Sequence, residues 1–271
     1  MTVRVIPEAD DWPPRGGQHP PHGTPAEPGR DRHAPPVIEL RGLVLPGHAS
    51  EDHLDLMVWH GELVMLTGQP RSGRSALLNV LGLLDHPESG SYLLNGLDTA
   101  TLRDSDRSAL RGRQIGFIFQ RRMILPTRSV LDNAMLPLRY SGLRRRQRIA
   151  AAIEGLDRVG LADRAHMMGW QLSAGEFALC AIARALAAQP SLLLCDDPTA
   201  GLDQATAAQV IALLAGLHRE GRTVLIATAD QLAAAYSSRS VQLGPPGSPA
   251  PLPPRSSGPA ALTDSGAGLL P

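Results

Sequence analysis

Apolar residues through the middle of the chain alternate between short unbroken runs and stripes at helical spacing. Glu62–Thr67 (ELVMLT) reads as a buried strand, and Arg74–Leu84 (RSALLNVLGLL) as the helix that follows it. Gln114–Phe119 (QIGFIF) is strand-like. Ser191–Asp196 (SLLLCD) is a continuous apolar run of the type buried on both faces of a parallel sheet. Ala205–Arg219 sets Val210, Leu213, Leu214 and Leu217 at i, i+3, i+4 and i+7, a helical stripe, and Thr223–Asp230 (TVLIATAD) is again a buried strand. Strand and helix patterns taken in turn predict an α/β core with a mostly parallel sheet. The 71 residues of 120–190 carry helical pattern and little strand signal, which predicts a helical insertion or subdomain.

Proline placement bounds this region. Of 24 prolines in 271 residues, nine fall in 1–36 and eight in 244–271. Both tails lack a periodic apolar face and read as disordered, the first Pro/Gly-rich and the second Pro/Ser-rich. The folded domain is expected over 37–243, with its helical subdomain over about 121–190. Lys+Arg and Asp+Glu number 26 each, so the formal net charge is zero, whereas a protein dominated by nucleic-acid affinity carries a basic excess. Every basic residue of that count is an arginine. Cys180 and Cys195 sit inside apolar segments and read as small buried hydrophobes of a reducing compartment, not as a disulfide. No apolar run approaches the ~18–20 residues of a membrane-spanning helix. Asp10 and Asp11 stand where a signal peptide would need an apolar stretch. The chain is therefore expected to be neither exported by that route nor membrane-spanning.

Candidate chemistry begins after the first buried strand. Gly68-Gln69-Pro70-Arg71-Ser72-Gly73-Arg74-Ser75, followed by Ala76, has the spacing of the phosphate-binding loop G-x-x-x-x-G-K-[ST], with arginine in the lysine position. A strand-to-helix turn of this kind wraps backbone N–H groups round an anion at the positive end of a helix dipole. Ser75 would place its hydroxyl on Mg²⁺. The plainer alternative is a glycine-rich turn without a ligand. Leu192–Asp197 ends an apolar strand in two acids, and beside such a loop the first acid, Asp196, can support Mg²⁺. Leu172-Ser173-Ala174-Gly175-Glu176 opens a helix through Ala188. Ser173 with Glu176 is a capping-box pattern, and the same N-terminus can offer N–H groups and a hydroxyl to an anion. Arg144, Arg145, Arg146 and Arg148 form a basic cluster, read as a solvated face or as a contact for anionic lipid head groups.

At these residues the chain resembles the ATP-binding subunit of ABC transporters, most of all the lipoprotein-release and macrolide-export (LolD/MacB-like) branch. Leu81–Asp85, Ile115–Gln120, Leu125–Asn133 and Ala181–Leu186 carry that likeness. The resemblance covers about 37–243 and implies a P-loop NTPase core plus a helical subdomain. It implies ATP and Mg as ligands and a head-to-tail dimer with a second ATP-binding subunit, identical or different. It also implies a membrane permease as partner, which would hold the chain on the cytoplasmic face of the plasma membrane, and no nucleic acid. Residue by residue, Gly68 to Ala76 would hold phosphates, and Ser75, Gln120 and Asp196 would serve Mg²⁺. Gln120 would also sense the attacking water, and Asp197 would occupy the position of the water-orienting glutamate. Ser173, Ala174 and Gly175 would form the signature facing the partner's ATP, and Asp203 would lie at the dimer seam.

The chain departs from the family pattern at five of these functional positions. Arg74 replaces a lysine, and a wide planar guanidinium is not a point charge. Asp197 is one methylene shorter than glutamate. Ala229 replaces a histidine, and Ala174 replaces the first signature glycine. No aromatic residue lies between Val37 and Val58, where the family stacks one on adenine. Three readings follow. The chain is an ATPase subunit of a transporter, or a regulatory nucleotide-binding subunit paired with a competent copy, or an ABC-type protein without a permease. The third is disfavoured by the single cassette.

Overall fold

The computed structural model describes residues 35–47, 53–69, 72–120, 123–229 and 231–244. The two proline-rich tails lie almost wholly outside these residues.

Two sheets form. The first is antiparallel and carries β1 (Ile38–Val44), β2 (His53–Val58), β4 (Ser89–Leu94) and β5 (Leu97–Asp98) in the order β2-β1-β4-β5. Its pairing slips along β1 between Leu40 and Val44, where Gly42 has a φ of 55°. Across that bulge a side chain at Gly90 would come within 2.6 Å of the Leu43 Cα, so the close approach of β4 requires a glycine there.

The second sheet is parallel. Its strands are β3 (Leu63–Gly68), β6 (Ile115–Ile118), β7 (Leu192–Asp196), β8 (Thr223–Ala227) and β9 (Arg239–Leu243), in the order β6-β7-β8-β3-β9. β8 is buried at every position and β7 at all but Asp196, because layers cover both faces. Register matters most for the site. Ala227 pairs with Asp196 on one side and with Leu66 on the other. The ends of β3 and β7 therefore reach the same carboxyl edge of the sheet, with only β8 between them.

Helix α1 (Arg74–Leu81) leaves β3 and buries Leu77, Leu78, Val80 and Leu81 against β3, β7 and β8. Helix α2 (Asp104–Gln114) leads into β6, with Asp104 and Asp106 in its first turn and Arg111 and Arg113 in its last, matching its dipole. The expected helical insertion between β6 and β7 consists of α3 (Val130–Met135), α4 (Arg145–Arg158) and α5 (Ala174–Ala187), packed on one another. Small residues let α4 and α5 approach closely: a methyl at Gly155 would stand 2.8 Å from the Ala183 carbonyl oxygen. Asn133 is fully buried on α3 and bonds the Leu125 N–H and the Leu125 and Ser129 carbonyls, folding the segment after β6 back onto the insertion. Helix α6 (Gln204–Arg219) buries Val210, Ile211, Leu214 and Leu217, and Leu213 of the predicted stripe is half-buried. Cys180 and Cys195 are buried free thiols, both pushed up in pKa by burial.

Candidate functional site

The carboxyl edge of the parallel sheet gathers most of the predicted site residues. Gly68 ends β3 so close to β9 that a methyl on it would meet the Leu243 carbonyl oxygen at 2.6 Å. Gln69 accepts the Ser72 N–H at 3.0 Å, turning the loop, and Pro70 and Arg71 lie outside the described residues. Gly73 takes the left-handed conformation, φ 85°, that starts α1, which glycine adopts without strain. No side chain caps α1 and its first turn holds no acid. Side chains accept the capping N–H groups at the starts of α3, α5 and α6, whereas α2 and α4, like α1, have no such cap. An uncapped start leaves N–H groups free for an outside anion.

Polar atoms converge on this opening. The Ser75 hydroxyl donates to Asp196 Oδ1 at 3.1 Å, which ties the first turn of α1 to the end of β7. Burial is the main influence on Asp196 and raises its pKa; the Ser75 hydrogen bond and the Arg74 charge oppose it, and Asp197 adds to it. Arg74 Nη1 and Ser72 Oγ are both shielded from solvent, and neither has a hydrogen-bond partner among the described residues. A buried guanidinium nitrogen and hydroxyl left unpaired are costly and call for an acceptor that the described residues do not supply.

Asp197 follows with a left-handed φ of 42°, which Asp tolerates better than most residues. Its N–H donates to the Ala227 carbonyl at 2.7 Å, and its own carbonyl accepts from the Ala200 N–H at 3.1 Å. Gln120 is exposed two residues beyond β6, and Ile118 pairs with Cys195, so Gln120 and Asp197 leave the same edge on neighbouring strands. Thr228 is buried, and its N–H bonds the Leu66 carbonyl. Ala229 is exposed just past β8, the strand between those of Asp196 and the loop. A short side chain there leaves that part of the edge bare.

The second group forms at helix starts. Ser173 caps α5 as predicted: its hydroxyl accepts the Glu176 N–H at 3.2 Å while the Glu176 carboxylate accepts the Ser173 N–H at 2.9 Å. That backbone bond is the main reason the Glu176 carboxyl is held below its ordinary pKa, and Arg164 lies 3.4 Å away. Ala174 is exposed and Gly175 half-buried in the first turn of α5. Asp203 caps α6 and is held low mainly by its hydrogen bond from Thr206. Thr206 was missed in the sequence, although Asp203-x-x-Thr206 is a capping pattern. Also missed were three exposed large apolar side chains. Met123, Leu125 and Trp170 are 63%, 42% and 67% exposed. Leu125 and Trp170 lie on neighbouring segments, since the Trp170 N–H donates to the Pro126 carbonyl at 3.1 Å, and Met123 is tied to α5 by Arg184, which donates to its carbonyl at 2.7 Å. Arg144, Arg145 and Arg146 are exposed at the start of α4.

Comparison with known proteins places this geometry among relatives. The family model described as ABC transporter matches residues 52–200. The macrolide export ATP-binding/permease protein MacB of Rhodopseudomonas palustris strain HaA2 is 42% identical over 213 residues, 76% of this chain and 33% of that protein. The chain thus spans about a third of the length of that relative. The ABC transporter ATP-binding protein YvrO of Bacillus subtilis strain 168 is 39% identical over 189 residues, covering 70% of this chain and 82% of that protein. Among solved structures, the dimeric structure of MJ0796, a bacterial ABC transporter cassette, superposes with a TM-score of 0.70 at 32% identity, over 76% of this chain and 94% of that one. A second dimeric structure of MJ0796, in a post-hydrolysis state bound to ADP and Pi, gives 0.69.

Proposed function

This chain belongs to the ABC transporter family, as its ATP-binding part, and we propose that it couples the binding of Mg·ATP to a membrane permease while hydrolysing ATP slowly at its own site. The observation that carries the binding half is the Ser75–Asp196 hydrogen bond at the uncapped start of α1. Those residues fit the ligand. Two hard oxygen donors suit Mg²⁺, and the unpaired Arg74 Nη1 and Ser72 Oγ suit an oxygen-rich anion. Bound Mg²⁺ would neutralise phosphate charge; Ser75 and Asp196 would hold it.

The loop Gly68–Ala76 would orient the phosphates through its N–H groups. Ser173, Ala174 and Gly175 would face the nucleotide of a second cassette, and Asp203 would meet that cassette at the seam. Gln120 and Asp197 would position water. Here the departures from the family pattern act against the chemistry. The short Asp197 side chain is held on a left-handed backbone, and Ala229 offers nothing beyond its methyl at an exposed place. General-base positioning contributes ~10²–10⁴ in rate, so a poorly placed carboxylate costs turnover more than affinity. This favours a nucleotide-binding subunit that works beside a competent copy.

No helix among the described residues is long and apolar enough to cross a membrane. Attachment at the cytoplasmic face would run through the permease. Met123, Leu125 and Trp170 offer it exposed apolar side chains that lie, in the chain, three residues past Gln120, five past it, and three before Ser173. The test is equilibrium titration of the full chain with Mg·ATP, together with steady-state phosphate release. Saturable binding with turnover well below 1 s⁻¹ is expected. Folded protein that binds nothing at millimolar nucleotide would overturn the first half, and turnover of about 1 s⁻¹ or more, within the usual enzyme range, the second.

A further inference from the structure

The two groups that the proposed function turns toward a second cassette, Ser173–Gly175 and Asp203, meet at one side chain. A methyl on Gly175 would stand 2.9 Å from Thr206 Cγ2 and 3.5 Å from its Oγ1. The first turn of α5 therefore rests on Thr206, in the first turn of α6. The other side of Thr206 is engaged with Asp203. Its hydroxyl donates to Asp203 Oδ2 at 2.6 Å, and its backbone N–H donates to Oδ1 at 3.0 Å. Both carboxylate oxygens of Asp203 are thus held by this one residue. A β-branched side chain is stiff at χ1. While the hydroxyl is bonded to Asp203, the methyl is fixed against Gly175, and neither contact can shift without the other. Serine would keep the bonds to Asp203 and lose the methyl; valine would keep the backbone N–H bond to Oδ1 but lose the hydroxyl bond that fixes the methyl, so both contacts loosen.

We propose that Thr206 is a positioning residue that ties the turn Ser173–Gly175 of the helical insertion to Asp203 of the core, so that both partner-facing elements keep one spacing. The inference rests on the reading of those elements as partner-facing. A pre-set spacing lowers the ordering cost when two cassettes close on nucleotide. Thr206 itself touches no nucleotide, so its loss leaves the binding of Mg·ATP to the single chain intact.

The test uses the full chain with Thr206→Ser, Thr206→Val and Thr206→Ala. Hydrogen exchange of the nucleotide-free protein is read at the Glu176 and Phe177 amides, both bonded to Ser173, and at the Thr206 and Ala207 amides, both bonded to Asp203. Sedimentation then measures self-association driven by Mg·ATP. Thr206→Ser should speed exchange at Glu176 and Phe177 by about fivefold or more while Thr206 and Ala207 stay protected, and Thr206→Val should loosen both pairs. All three variants should bind Mg·ATP within about twofold of the parent, with self-association weakened at least about fivefold in Thr206→Ala. A purely local cap would move only the α6 amides; unchanged exchange at Glu176 and Phe177 in all three variants overturns the proposal. A parent that stays monomeric at saturating Mg·ATP counts against the pairing reading of the site, and the exchange measurement then decides the tie alone.

Discussion

Ser75→Ala isolates the oxygen that joins the phosphate loop to Asp196. In the free protein it deletes one hydrogen bond of 3.1 Å to a carboxylate at a solvent-accessible position. Hydrogen bonds to charged groups contribute ~1.5–3 kcal/mol when buried and less in water's reach, so roughly 1 kcal/mol is lost here. Alanine returns a few tenths of a kcal/mol through its higher helix propensity in the first turn of α1. The free variant should therefore melt within about 2–4 °C of the parent. With nucleotide the balance differs, because Ser75 would then be an oxygen ligand in a site closed over Mg²⁺. Its removal should cost the full ~1.5–3 kcal/mol, a rise of about ten- to a hundredfold in the Kd for Mg·ATP. The control is the same titration in EDTA. The hydroxyl acts through the metal, so metal-free ATP should bind parent and variant within about twofold. Calorimetric titration with and without Mg²⁺, beside a thermal melt, reads all three quantities. A variant that keeps its Mg·ATP affinity, or loses affinity equally in EDTA, refutes the assignment of Ser75 to the metal.

The triple change Arg74→Lys, Asp197→Glu, Ala229→His should raise phosphate release at least about tenfold over the parent, while each single change does little, since groups acting as a unit are strongly non-additive. Turnover at saturating Mg·ATP checks this, and a large gain from one single change would contradict it. Asp196→Asn should alter the pH dependence of stability in the free protein. Burial raises the Asp196 pKa, so the folded state holds its proton more tightly than the unfolded chain. Its contribution is complete below the ordinary aspartate pKa and is lost as pH rises through the raised value. Glu176 and Asp203, held low, add stability with rising pH in parent and variant alike. Denaturant melts across that window should therefore show the parent losing stability relative to Asp196→Asn as pH rises, and a relative slope of the opposite sign would refute the burial argument. Gly155→Ala should destabilise the protein by about 1–3 kcal/mol, because its methyl meets the rigid Ala183 carbonyl at 2.8 Å. A melting temperature unchanged within a degree would show that α4 can shift away at no cost.

Local pattern carried much of this protein. The runs at β3, β7 and β8 and the stripe of α6 could be read because a strand buried on both faces must be apolar throughout, and a surface helix must be apolar on one side. The capping box at Ser173 and Glu176 could be read for a related reason: its hydrogen bonds close within one turn. Boundaries were less legible. The helix read through Leu84 ends at Leu81, where Gly82 caps it and Leu83 turns to a φ of 57°. The antiparallel sheet went unread altogether. Its β1 is broken by a bulge at Gly42, its β5 has two residues, and its central pairing joins segments about fifty residues apart.

What no periodicity could supply is which strand ends lie side by side. The sequence contains Gly68, Ser75, Asp196 and Ala229, but their meeting depends on β8 inserting between β7 and β3 with Ala227 level with both Asp196 and Leu66. A one-residue slip in either register would exchange the faces of a whole strand. Since both faces of β7 and β8 are buried, the fit of their side chains into the layers above and below, not a polar face, decides the alignment. The contact of Gly175 with Thr206 has the same origin. Composition and spacing name residues that could bind a phosphate or cap a helix. Close packing of non-local elements decides which of them share an edge, which polar atoms are left unpaired, and which side chain stands between two loops.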